Sequence, residues 1–130
     1  MLSPHQIIKK VAKLVNRGNT CYIHRKNRKI VTIAPEDESD LDPELTIEKC
    51  IIVPPMPKQS LSMVMQDFLL EVTDNSIKKE LVNALRRKSP MRNFMQVIDN
   101  CIDVGQHWRR YRAERYEQYV RQVFVDEYNH

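Results

Sequence analysis

Glycine is the scarcest feature of this chain: 2 of its 130 residues, Gly18 and Gly105. A loop that cradles phosphate through its backbone needs several closely spaced glycines, so the glycine-rich nucleotide-binding classes are excluded. The three cysteines, Cys21, Cys50 and Cys101, are odd in number, widely spaced and free of any CxxC pair. That argues against a disulfide framework and against a structural zinc site, and it fits a reducing cytoplasm. Apolar runs such as Cys50 to Val53 and Phe68 to Leu70 fall far short of the roughly 20 residues that cross a bilayer, so no membrane association is expected. No cleavable apolar segment precedes the pattern of Lys9, Lys10 and Lys13, so no signal peptide is expected. His5, His24, His107 and His130 stand without an HExxH motif or a close acidic pair, and no metal or cofactor is implied.

What is present fits one domain over 1–130. A mass of 15.5 kDa with 42% hydrophobic and 29% charged residues buries roughly two-thirds of the extended surface, enough for one core. The formal charge of +4 is modest, but it is distributed in blocks. Residues 1–35 carry eight basic side chains and no acid, whereas residues 36–48 carry seven acids and no base. Either the acidic run folds back and neutralises the basic one, or Lys9, Lys10, Lys13, Arg25, Lys26 and Arg28 present a face that attracts nucleic-acid phosphate or an acidic partner. Ordinary solvated faces are the plainer account of the same pattern.

Ser3, Pro4 and Gln6 supply a cap, a first turn and a capping-box partner, and Ile7, Ile8, Val11, Leu14 and Val15 follow at helical spacing. A helix is expected over about 4 to 16, closed by Gly18 in the left-handed region. The β-branched residues of 20–34 predict a hairpin, with Asn27-Arg28 at the turn where glycine would be easiest. A further strand is expected over about 49–53, before Pro54-Pro55-Met56-Pro57 forces extended backbone. Residues 54–59 are the one place that reads as an internal junction. Beyond it the pattern is helical: Ser60 to about Val72 with Met63, Phe68, Leu69 and Val72 available for packing, then a helix capped by Asp74 or Asn75, then one from Ser89-Pro90, then a last one of roughly 20 residues from Asp103. The expected architecture is α+β: a small antiparallel sheet packed with an N-terminal helix and three to four C-terminal helices.

Two further segments concentrate chemistry. Arg86-Arg87-Lys88-Ser89-Pro90-Met91-Arg92 places cations where a helix starts, which suits an ion pair of Arg92 with the last helix or an anion at the free N–H groups. Trp108-Arg109-Arg110-Tyr111-Arg112, followed by Arg115, places aromatic rings beside guanidinium groups. Those rings either stack on bases or a partner, or enter the core while arginine stems cover its border; the packing alternative is favoured. Convergence of Cys21, His24 and Cys50 across the sheet is a remote catalytic alternative.

The second half resembles a bacterial uncharacterised protein family, number 0158. The residues that carry the likeness are Leu81-x-x-Ala84-Leu85, then Ser89-Pro-Met-Arg-Asn-Phe94, then Trp108-Arg-Arg-Tyr-Arg112. Members typically show Leu-x-x-Ala-Leu, a Gly-Ala-Phe-Arg-Arg-Phe-Lys-like turn and helix, and Trp-Tyr-x-Phe-Arg-like residues. Arg92, Phe94, Trp108 and Arg112 match; Ser89 replaces glycine, Met91 an aromatic and Asn93 a base. The resemblance implies a bacterial cytoplasmic α+β domain and carries no activity with it. The leading functional expectation is a non-enzymatic domain that binds a protein partner through Arg92, Trp108, Arg112 and Arg115. A nucleic-acid-associated regulator using the N-terminal cations and an enzyme of unrecognised type are the alternatives.

Overall fold

The first helix is set by its own opening turn. Ser3 Oγ accepts from the Gln6 amide at 3.2 Å while Gln6 Oε1 accepts from the Ser3 amide at 2.8 Å, a reciprocal capping box that satisfies otherwise orphaned donors. Helix α1 runs Pro4–Asn16. It ends where Gly18 adopts φ +99°; the Gly18 amide then donates to Val15 O and the Asn19 amide to Leu14 O, the six-to-one and five-to-two closure that a left-handed glycine permits.

A computed structural model of the chain describes residues 2–40 and 42–128, with side chains at all of these except 38–40. The charges of Glu38 and Asp40 in the acidic run, and the terminal His130, lie outside the described residues. After α1 come β1 (Thr20–His24), β2 (Ile30–Ile33), a 3-10 helix (Pro35–Asp40), β3 (Cys50–Val53), and then α2 (Lys58–Phe68), α3 (Asn75–Arg86), α4 (Pro90–Asp99) and α5 (Ile102–Tyr128). The sheet order is β2-β1-β3, antiparallel throughout. This is the expected α+β architecture. No helix among the described residues is long and apolar enough to cross a membrane.

The hairpin turn carries the strain that its sequence announces. Arg28 sits at φ 62°, a left-handed conformation that costs a non-glycine residue roughly 1–2 kcal/mol. Local bonds hold it there: the Arg28 amide donates to His24 O, Asn27 Oδ1 accepts from the Lys29 amide at 2.9 Å, and an Arg28 guanidinium nitrogen reaches Tyr128 Oη at 3.1 Å.

The chain divides into two compact units, residues 1–56 with 113–130 and residues 57–112. One boundary falls within 54–59; the other lies inside α5, where composition marks nothing. In the first unit, Ile7, Val11 and Val15 of α1 and Tyr116, Val120 and Phe124 of α5 cover one face of the sheet, meeting Cys21, Ile23, Ile51 and Val53. Alternation along the strands sends Tyr22 and Cys50 to the opposite face, under Leu45.

The second unit is built on aromatic rings. Phe68, Phe94 and Trp108 meet edge to face, with centroids 5.2 Å apart for Phe68 and Trp108 and 5.0 Å for Phe94 and Trp108, a geometry that aligns ring edges with ring faces. Two details depart from the sequence reading. Helix α2 begins at Lys58 behind Pro57, which makes no side-chain cap bond, so Ser60 is inside the helix. Its buried stripe is Val64, Met65 and Phe68, and Met63, outside that spacing, is 61% exposed. At α4, Ser89 is not a side-chain cap either: it stands at φ 55° with no cap bond, and Asn93 takes over the corner, its amide donating to Ser89 O at 3.1 Å and its side chain to Lys88 O at 2.7 Å.

The left-handed Ser89 makes a direct prediction. Ser89→Gly removes the steric penalty at φ 55° and should stabilise the chain by about 0.5–1 kcal/mol. A urea unfolding midpoint that stays the same or falls would contradict this.

Candidate functional site

Helix α5 shows first what its arginine and aromatic segment is for. Trp108 is 1% exposed, so it belongs to the core of the second unit, as the favoured packing alternative expects, and is not itself a contact residue. Tyr111 lies 5.4 Å from Phe68. Further along, Tyr116, which the sequence reading did not single out, is buried and accepts from the Met56 amide at 3.2 Å. Tyr119 Oη donates to Pro54 O at 2.8 Å. Burial pushes the Tyr119 hydroxyl pKa up, with neighbouring Tyr116 adding to the effect. Arg112 and Arg115 are half-buried and each is engaged within the protein. These side chains anchor a long helix while guanidinium stems border its packed face.

The N-terminal cations are scattered. Lys9, Lys10 and Lys13 are exposed along α1, and Lys26 at the hairpin turn. Arg25 is bound twice, to Glu127 at 2.9 Å and to Ile47 O at 3.0 Å. Around the turn, His24, Arg25, Lys26 and Asn27 face Glu44, Glu48 and Lys49 across a hollow of about 550 Å³. Its charge is mixed, and Lys49 is already paired to Glu44 at 2.8 Å; that bond raises the Lys49 pKa. Residues 1–56 with 113–130 hold eleven basic and eleven acidic side chains. The basic block of residues 1–35 is therefore balanced within its own unit.

Beneath the same turn, His24 and Cys50 are cross-strand partners, with Cys50 Sγ 3.8 Å from His24 Nδ1. Cys21 pairs with Val53 at the other end of the ladder, so the three residues do not converge. Burial pushes the Cys50 thiol pKa up, with Arg25 opposing only in part. A thiol held protonated is the reverse of an activated nucleophile. No group of three or more metal-ligating side chains exists among the described residues.

The remaining concentration is the corner where α3 meets α4. Arg86, Arg87, Lys88 and Arg92 are exposed there, and no salt bridge holds them among the described residues. The expected ion pair of Arg92 is accordingly not seen among those residues. Residues 57–112 carry ten basic and six acidic side chains, so the whole formal +4 lies in this unit.

The model of one protein family, described as an uncharacterised protein family, UPF0158, matches residues 1–127. The chain belongs to the bacterial UPF0158 family. A UPF0158 protein of Pseudomonas aeruginosa is similar, 30% identical over 87 residues, which is 67% of this chain and 57% of that protein. The aligned part thus spans little more than half the length of the curated relative. No solved structure matches. The resemblance noted in the sequence sets a glycine where Ser89 stands, and the left-handed φ of 55° found there is the conformation that favours glycine.

Buried thiols give this UPF0158 chain a defined alkaline limit. Cys21 and Cys50 are both raised above their ordinary value, chiefly by desolvation; Thr32 and Lys10 oppose the shift at Cys21. The unfolded chain therefore loses these protons first as pH rises. Stability is fully present below the unfolded thiol pKa of about 8.5 and declines above it, by up to about 1.4 kcal/mol per pH unit for each thiol. Urea midpoints compared at about pH 8 and about pH 10 should fall, and less steeply in Cys21→Ala with Cys50→Ala. An equal fall in that double variant would contradict the assignment to thiols.

Proposed function

We propose that this UPF0158 chain is a non-enzymatic protein-interaction module, acting in the reducing cytoplasm that its free cysteines suit, and that its partner presents acidic side chains. The observation that carries the proposal is the placement of charge. The net +4 belongs to residues 57–112, and Arg86, Arg87, Lys88 and Arg92 crowd one exposed corner. Like charges gathered on one exposed corner repel one another. An acidic partner converts that cost into attraction and speeds encounter. Of the four residues first put forward, Arg92 remains at the surface as the contact candidate. Trp108 supports from within, and Arg112 and Arg115 border packed structure.

Nucleic acid is the less favoured partner. Of the four Phe, Trp and Tyr rings of this unit, Phe68, Phe94 and Trp108 are buried against one another and Tyr111 is half-buried against Phe68, which leaves no open stacking platform. The lysines and arginines of residues 1–35 lie in a unit without net charge.

A titration separates the two. Fluorescein-labelled hexaglutamate should bind the full chain, and Lys88→Glu with Arg92→Glu should weaken that binding at least about tenfold at low salt while circular dichroism stays unchanged. Failure of hexaglutamate to bind, together with tight, steeply salt-dependent binding of mixed DNA or RNA, would overturn the proposal.

A further inference from the structure

Beside the cationic corner, α3 and α4 share a groove of about 240 Å³ with an unusual lining. From α3 and its C-cap come Glu80, Asn83 and Arg87 around Ala84; from α4 and its C-cap come Asn93, Gln96 and Asn100 around Val97. Both sets repeat the spacing i, i+3, i+4, i+7, which is one face of a helix. Such a stripe is ordinarily apolar and faces a core. Here Leu81 of α3 and Phe94 and Ile98 of α4 are buried outside the groove, while Ala84, buried as well, belongs to both the core stripe of α3 and the groove floor. The groove is a second face in each helix, amide-rich, with one apolar residue from each at its floor.

The amides are available. Asn83, Gln96 and Asn100 are exposed, and Asn93 commits one donor to Lys88 O at 2.7 Å, which leaves its Oδ1 free to accept. A side-chain amide offers a donor and an acceptor on one plane, the complement of a peptide group in extended backbone. Seven helical residues rise about 10 Å, the length of about three residues of extended chain. The groove is also polarised: Arg87 stands at the turn end with Lys88 and Arg92 beside it, and Glu80 at the far end.

We infer that the α3–α4 groove binds an extended acidic segment of a protein partner, about three residues in contact, its backbone read by the amides of Asn83, Gln96 and Asn100 and its acidic side chain held by Arg87 at the turn end. This deepens the acidic-partner reading above and rests on it. The lining contains no aromatic ring, so it offers a nucleobase nothing to stack on.

The experiment uses fluorescence anisotropy of labelled hexaglutamate with the full chain at several salt concentrations. Asn83→Ala with Gln96→Ala alters two exposed residues and no charge. It should weaken binding about tenfold with an unchanged salt slope, as expected for two lost hydrogen bonds. Lys88→Ala with Arg92→Ala should instead flatten the salt slope. If the amide variant binds as tightly as the parent while the cation variant is weakened, the groove assignment is overturned and the acidic-partner reading stands. If the parent does not bind hexaglutamate, that reading fails and takes the groove with it. If a labelled oligo-thymidine binds more tightly than the peptide and depends on Asn83 and Gln96, the occupant is nucleic acid and the peptide assignment is overturned.

Discussion

The packing of Phe68, Phe94 and Trp108 is the constraint on which the second unit depends. One ring comes from each of α2, α4 and α5, and the closest pair has centroids 5.0 Å apart. With so few aromatic residues in the chain, 7%, removing any one of them would leave a cavity costing about 3–5 kcal/mol. The same contacts set the rotation of α4. Once Phe94 and Ile98 point inward, Gln96, two residues from each, is turned about 200° away. The amide-lined face is thus a consequence of where the core residues are, and so is the exposure of Arg92.

Much of this was readable in the residues themselves. Ser3, Pro4, Gln6 and Gly18 act through bonds within a few positions of each other, and α1 forms between them as expected. The hairpin and third strand follow from β-branched runs, and the unease at Asn27-Arg28 corresponds to a left-handed φ of 62°. Tertiary effects were less accessible. The α2 start at Lys58 has no side-chain cap to reveal it. Tyr116 looked like one more polar-tipped residue in an arginine-rich stretch, because its value lies in reaching the Met56 amide sixty positions away. Asn83, Asn93, Gln96 and Asn100 carry no sequence motif that marks them as a site. Only the identical spacing in two consecutive helices hints that they form one lining, and only the pairing of α3 with α4 makes it so.

The distribution of charge changed most between sequence and structure. Read linearly, the first 35 residues dominate, since they contain eight cations and no acid. Grouped by compact unit, they belong to a set of eleven basic and eleven acidic residues, with Glu127 on Arg25 at 2.9 Å. The uncompensated charge is in residues 57–112, where the Arg86-to-Arg92 and Arg109-to-Arg112 clusters stand out in the sequence, but only the grouping into units shows that their own unit's acids do not balance them. This relocation moves the candidate surface of this UPF0158 chain from the hairpin turn to the α3–α4 corner.

That relocation is the central claim, and a map of where an acidic ligand touches the protein tests it most directly. In a titration of the 15N-labelled full chain with hexaglutamate, the account predicts shifts in the amide resonances of residues 80–100, including the side-chain amides of Asn83, Gln96 and Asn100, with residues 24–29 unmoved. Shifts centred on Arg25, Lys26 and Arg28, with 80–100 silent, would contradict it.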